Sequence, residues 1–347
     1  MDIKSMTIAQ IADVLRELGQ PAYRAKQLYS WMHVQLATSY DEMSNLPKAL
    51  REALAESYPL TVLTKVVRLD SRLDETKKYL FRLPDGNVIE SVRMEYHHGV
   101  SVCISSQVGC RMGCSFCAST LGGLVRNLTP SEMLEQVYAI TRDMGTRVDN
   151  VVVMGSGEPL DNYDNLLAFV RMVTDENGLH ISQRNITVST CGLVPMLRKL
   201  ADEDLTITPA VSLHAPNDEL RKKLMPVANA YPIPELMDAA WYYAEKTGRR
   251  MTFEYSLIDG VNDTPALAKQ LAGLLRGHPA HVNLIPVNPV RERNYRRSLV
   301  KNVLQFQKML ENEGIHVTIR RELGSDIDAA CGQLRRHYEE SKQELKV

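Results

Sequence analysis

The stretch SVCISSQVGCRMGCSFCAST, residues 101–120, decides how the rest of the chain is read. It begins as a short apolar strand and runs into a loop carrying Cys110, Cys114 and Cys117 at C-x3-C-x2-C spacing. Gly109 and Gly113 let such a loop wrap closely around a ligand. Three thiolates this close repel one another unless a cation or a metal cluster neutralises them. A structural zinc ion would want a fourth protein ligand, for which Cys103, His97 or His98 stands nearby in sequence. Three buried thiols in a strand-to-helix loop are a blander alternative. A 4Fe–4S cluster on three cysteines turns the missing ligand into a working part, because one iron stays open to a substrate.

Outward from this loop, strand and helix patterns alternate. Candidate strands are SVCIS, NVVVMG, NITVST, ITPAVSLH, MTFEYSLI, HVNLIP and IHVTIR, with helical patterns between them. In TPSEMLEQVYAITRDM, Thr129 is an N-cap, Pro130 takes the first helical position and Glu132 closes a capping box. Repeated βα units imply a parallel sheet closed into a full or partial barrel. The polar and glycine-rich signatures all follow strands: the cysteine loop, GSGEP at 155–159, STCG at 189–192, SLHAPN at 212–217 and NPV at 288–290. Parallel barrels build their sites on that face, so five coincidences point to one shared site.

The flanks differ. Residues 1–58 read as a helical accessory domain, with Ile8, Ile11, Val14, Leu15 and Leu18 at helical spacing, then YRAKQLYSWMHVQ and PKALREALAE. Residues 59–98 read as a small β element or linker, in which KKYLFRL and NVIESVRM alternate around a PDG turn. Residues 99–347 then form the barrel with its C-terminal extension. Charged residues make up 24% of the chain and its formal net charge is -1, so any RNA contact rests on local basic patches. Candidates are YRAK at 23–26, Lys77 and Lys78, RERNYRR at 291–297, and Arg320 with Arg321. No apolar run approaches the roughly 20 residues of a membrane span, and the N-terminus lacks a signal-peptide pattern. The chain therefore reads as cytoplasmic and monomeric, where clustered cysteines are metal-binding or catalytic rather than disulfide-forming.

C-x3-C-x2-C after the first strand of a partial barrel, followed by GEP, resembles the radical S-adenosylmethionine (SAM) enzymes. More narrowly, the chain resembles the RlmN family, dual-specificity adenosine C2 methyltransferases of 23S rRNA and tRNA. YRAKQLYSW, CISSQVGCRMGCSFCAS, RNLTPSE, MGSGEPLDN, VSTCGLVP, SLHAPNDELRKKLMP, GVND, HVNLIPVNP and SDIDAACGQL carry the likeness nearly end to end. It implies an α/β fold, a partial (βα)6 TIM-like barrel, with a 4Fe–4S cluster on Cys110, Cys114 and Cys117. It also implies SAM held by Gly157, Glu158, Ser189, Ser212, Leu213, His214 and Asn288. Cys331 matches the cysteine that is methylated by one SAM and then carries the methyl to RNA, after a second SAM has yielded the radical that activates it. Cys103 matches the cysteine that resolves the protein–RNA intermediate, and Glu90 the proton acceptor. An electron donor such as flavodoxin or ferredoxin is implied as a partner.

Read without the family, Ser189 and Ser212 are ordinary strand-end hydroxyls, Glu90 a solvent-facing carboxylate, and Cys331 a core cysteine. Cys191 matches no role and reads as structural. The same family contains a Cfr-type branch that methylates C8 and confers antibiotic resistance. GEPL and the RREL before GSDIDAACGQL favour the C2 branch. Ser156 stands where methionine is common in the family, with no loss of activity expected. A non-catalytic metal-binding RNA-binding protein is the remaining alternative, against which Cys103, Cys331 and Glu158 are all present.

Overall fold

Short strands buried on both faces cannot solvate their backbone, so each helix that follows must fold back over the sheet. The computed structural model describes residues 2–288, 290, 292–327, 334, 335 and 338. Three N-terminal helices, α1 (Ile8–Glu17), α2 (Tyr23–His33) and α3 (Lys48–Ser57), precede three antiparallel strands. These are β1 (Thr64–Asp70), β2 (Lys77–Arg82) and β3 (Val88–Tyr96). β4 (Gly99–Ile104) leads into a two-stranded flap, β5 (Gln107–Gly109) and β6 (Leu124–Asn127), which brackets the cysteine loop.

The βα alternation then begins with α4 (Pro130–Met144), whose Thr129–Glu132 capping box forms as the sequence predicts. β7 (Asn150–Val153), α5 (Tyr163–Val173), β8 (Ile186–Thr190) and α6 (Val194–Ala201) follow. Next come β9 (Thr208–Ser212), α7 (Asp218–Leu224), α8 (Ile233–Thr247), β10 (Met251–Leu257) and α9 (Pro265–Leu275). β11 (Ala280–Pro286), α10 (Val300–Asn312) and β12 (His316–Ile319) complete the order.

Strands β4, β7, β8, β9, β10, β11 and β12 are all parallel neighbours. All seven sequence-predicted strands therefore form, as six βα units capped by β12. The sheet is open, in the order β1-β2-β3-β4-β7-β8-β9-β10-β11-β12. Because β3 pairs with β4 along Val92–Tyr96, residues 59–98 continue the barrel's sheet rather than stand apart from it. One apolar core runs from Ile11 and Leu28 through Tyr138 and Phe169 to Phe253 and Phe306, joining the N-terminal helices to the barrel. Among the described residues no helix is long and apolar enough to cross a membrane.

Polar contacts lock the N-terminal helices to α4. Fully buried Lys4 donates from Nζ to Glu135 Oε1 (2.7 Å) and to the Thr61 carbonyl (2.7 Å). Arg142 holds the other oxygen of Glu135 at 2.8 Å. His33 meets the Tyr138 hydroxyl at 2.8 Å, and burial pushes its pKa down to about 3, so the ring is neutral. Removing one partner of a buried ion pair strands the other charge. Lys4→Ala is therefore expected to lower unfolding stability by about 3 kcal/mol, the low end of such losses because Arg142 still reaches Glu135. Chemical denaturation checks this; a loss well under 1 kcal/mol would show the lock to be dispensable.

Candidate active site

The loops after β4, β7, β8, β9 and β11, together with side chains of β10 itself, surround one cleft of about 270 Å³. Cys110, Cys114, Cys117, Gly157, Glu158, Ser189, Ser212, His214 and Asn288 all line it. Leu213 does not: its side chain is buried in the core, and its N–H donates to the Glu254 carbonyl.

The cysteine loop is held by backbone. Cys110 N–H bonds to the Gly123 carbonyl across the flap, and Ser115 N–H to that of Leu224. Burial pushes the Cys110 thiol up to about 12 and Cys114 higher still, with neighbouring thiols adding to both shifts. A bound cation reverses that balance and takes the thiolates. Among the described residues no three His, Cys, Asp or Glu side chains converge closely enough to hold a single metal ion. Yet the three thiols face one cleft, an arrangement suited to a multi-iron cluster whose irons occupy separate corners. The fourth ligands considered for zinc are elsewhere. His97 and His98 are exposed at the β3–β4 turn, at the opposite end of β4, and Cys103 lines a different cavity.

Glu158, in the loop after β7, has its carboxylate buried, accepting from the Leu160 N–H (3.0 Å) and the Cys191 N–H (2.7 Å). Burial raises its pKa while those N–H groups pull it down, which readies it for a cationic ligand. Cys191 is buried and lines the same cleft as Glu158. Gly157 has φ +112°, and a Cβ there would lie 2.6 Å from Gln107 Cβ. Ser156 turns inward, its hydroxyl 3.0 Å from that of Ser119. His214, at φ 55°, accepts the Ser256 N–H at Nδ1 (2.9 Å), and burial pushes its pKa down to about 3. The ring is therefore neutral, with its other nitrogen the donor.

Cys103, on β4, lies in a second cavity of about 160 Å³ with Tyr96, Arg297, Arg320, Arg321 and Leu323. The two cavities share Ile285, Asn288 and Arg320, so Cys103 adjoins the cleft without belonging to the cysteine loop. Glu90 is buried, against the solvent-facing reading, and pairs with fully buried Lys78 at 3.2 Å. Lys78 is thereby no surface contact for RNA, and Lys77 is mostly covered beside Asp70 and Glu75. Glu90 Oε1 also accepts the Arg335 N–H. Asp326 bonds Ser71 Oγ and the Arg72 N–H, so described residues of the C-terminal segment lie against the β1–β3 region. Cys331 lies outside the described residues.

Three supporting residues escaped the sequence. Arg221, fully buried, donates to the carbonyls of Cys191 (2.7 Å) and Leu213 (3.3 Å). Asn262, within GVND, accepts the Ile258 N–H (2.7 Å) and donates to the His214 carbonyl (2.8 Å). Glu254 lines the cleft from β10. Arg221 looks like any helix-surface charge, and Glu254 like an alternating strand residue; only the fold reveals them.

Comparison with known proteins converges on the same chemistry. Residues 104–269 match the radical SAM superfamily, and residues 1–59 match the ribosomal RNA large subunit methyltransferase N-terminal domain. A probable dual-specificity RNA methyltransferase RlmN of Lachnoclostridium phytofermentans is 60% identical over 338 residues, covering 97% of this chain and 95% of that protein. One of the same description from Lachnospira eligens is 60% identical over 343 residues, covering 99% and 98%. The crystal structure of a radical SAM methyltransferase from Sphaerobacter thermophilus superposes with a TM-score of 0.93 at 48% identity, covering 96% and 98%.

Overpacking at Gly157 costs about 1–3 kcal/mol, before any backbone strain from its positive φ. Gly157→Ala is expected to weaken SAM binding roughly 10- to 100-fold while the protein stays folded. Equilibrium binding of S-adenosylhomocysteine reads this out; unchanged affinity would place the ligand away from this strand end.

Proposed function

The chain belongs to the RlmN family of radical SAM methyltransferases, and we propose that it methylates C2 of an adenosine in 23S rRNA and in tRNA. It is an enzyme that uses a 4Fe–4S cluster and SAM. The observation that carries the reading is the meeting of the three loop thiols with buried Glu158 in one cleft, beside a second cavity holding Cys103.

Cys110, Cys114 and Cys117 would hold the cluster, leaving one iron open. Gly157 and Glu158 would take the ammonium of SAM, a cation that suits a buried carboxylate. Ser189, Ser212, His214, Asn288 and the Leu213 backbone would hold the remainder. The reduced cluster with SAM supplies a carbon radical able to take hydrogen from an unactivated methyl group. The protein's part is to bring a methylated thiol and the adenine ring to that point and to keep water out. Cys331 would carry the methyl group as a thioether, formed by its thiolate. Of the described residues, Arg335 bonds Glu90, and Leu323 lines the Cys103 cavity. Cys103 would release the product by proton removal and thiol exchange: its sulfur would form a disulfide with Cys331 as the sulfur–carbon bond to the adenine breaks, the freed carbon taking a proton to become the methyl group. Glu90, its charge balanced by Lys78, would be the proton acceptor.

The N-terminal helical domain, residues 1–58, would be the RNA-binding accessory, with residues 59–98 linking it to the barrel of 99–347. Arg320 and Arg321 at the Cys103 cavity suit the phosphates around an extruded adenosine. A monomer in the cytoplasm, served by flavodoxin or ferredoxin, fits this reading.

Mass spectrometry of nucleosides tests it. Ribosomal and transfer RNA, incubated anaerobically with reconstituted protein, SAM and a reductant, should both gain 2-methyladenosine. 8-Methyladenosine would move the chain to the resistance branch. No methylated adenosine at full cluster content would contradict the roles of the cysteines.

A further inference from the structure

A cluster that cleaves SAM must receive an electron from outside, and on the proposed reading the cleft itself is filled by SAM. Electron transfer needs closeness rather than a covalent path, so the thinnest wall around the thiols is the natural entry. A groove of about 530 Å³ lies on the outer side of the cysteine loop, bounded by the loop after β7 and the start of α6. Met112, between Cys110 and Cys114, lines this groove and the cleft alike. Met112 and the groove residues Leu193 and Tyr231 pack into the apolar cluster that contains buried Cys114. One layer of side chains therefore separates the groove from the thiols.

The groove has an apolar centre and a charged rim. Leu193, Met196 and Tyr231 stand half-buried around Met112, with Pro195 exposed beside them. On the rim, Arg111 donates from Nε to Asp161 Oδ2 at 2.9 Å. Lys199 Nζ stands 3.8 Å from Asp164 and 4.2 Å from the centre of the Tyr163 ring. Asp161 also accepts Gln107 Nε2 (3.0 Å), and Gln107 Oε1 takes the Glu158 N–H (2.9 Å), so the rim is braced on residues that shape the cleft. An apolar centre inside a polar rim is the anatomy of a protein interface. A patch this small suits the brief encounters of electron-transfer partners rather than a permanent complex.

We propose that this groove is the docking site of a one-electron carrier protein, which seats the edge of its redox group against Met112. The carrier loses one electron and the cluster gains it, with no bond made or broken and no proton moved. Position selects this occupant: many proteins could use an apolar patch, but a carrier gains from one that backs onto the thiols. Approach from this side leaves the cleft and the Cys103 cavity free, so reduction and RNA binding need not compete. This rests on the reading of the three loop thiols as the ligands of the cluster.

Stopped-flow reduction of the full-length, cluster-loaded protein tests it, with reduced flavodoxin beside the small reductant dithionite. Pro195→Glu and Met196→Glu each put a charge in the apolar centre without altering a thiol or a residue of the cleft. An unpaired charge at the centre of an interface is a loss on the hot-spot scale, so each should slow reduction by flavodoxin roughly 10- to 100-fold. Each should weaken calorimetric binding of oxidised flavodoxin by a similar factor, and keep the dithionite rate, iron content and unfolding midpoint. Leu304→Glu, at an exposed position on α10, controls for added charge alone and should change nothing. Flavodoxin rates unchanged in both groove variants, lowered equally with dithionite, or lowered equally by Leu304→Glu would overturn the proposal. So would a wild type that dithionite reduces but neither flavodoxin nor ferredoxin does. A wild-type dimer that Met196→Glu dissolves would give the groove to a second copy instead. A wild type holding no reducible cluster would sink the cluster reading itself, and this inference with it.

Discussion

Parallel strands can be joined only by crossovers that return to the same end of the sheet. Seven parallel strands in this chain therefore open their C-terminal ends onto one face. Everything chemical follows from that constraint. Residues as distant as Cys110 and Asn288 line a single cleft because each sits in the loop after a strand. The strand ends are then tied sideways by buried polar bonds. Glu158 after β7 takes the Cys191 N–H after β8, and Asn262 after β10 donates to the His214 carbonyl after β9.

The second constraint is the antiparallel edge. Because β1–β3 add to β4 rather than folding away, Cys103 shares the sheet with Glu90 and Lys78. Two described residues beyond the last strand, Asp326 and Arg335, bond to that edge. Two chemical compartments result, one for the cysteine loop and one for Cys103, joined through Ile285, Asn288 and Arg320. On the proposed reading a radical reaction gains from this division, since the cleft proposed for SAM need not be the cavity proposed for the base.

Much of this was legible in the sequence. Strand alternation and the Thr129 capping box are local signals, and they held in the structure. The cleft was legible because glycine and cysteine signatures punctuate strand ends. What was not legible depends on tertiary burial. Lys78 looks like half of a basic surface pair, yet β2 and β3 bury it against Glu90. Arg221 reads as one charge in DELRKKL, but its guanidinium is spent on backbone carbonyls beneath the cleft. Glu254 is one letter in an ordinary strand, and its lateral neighbours Ser212 and Asn283 are set only once β9–β11 are placed in register. No period in the sequence encodes lateral neighbours between strands far apart in the chain.

The central claim is that three thiols hold a 4Fe–4S cluster with one iron open to SAM in the cleft beside Glu158. Electron paramagnetic resonance of the reduced protein, with and without SAM labelled with 15N at its amino group, tests it most directly. A single cluster whose signal shifts on adding SAM and acquires coupling to the labelled nitrogen is the expected result. A signal indifferent to SAM, or a protein that binds zinc in place of iron, would contradict it.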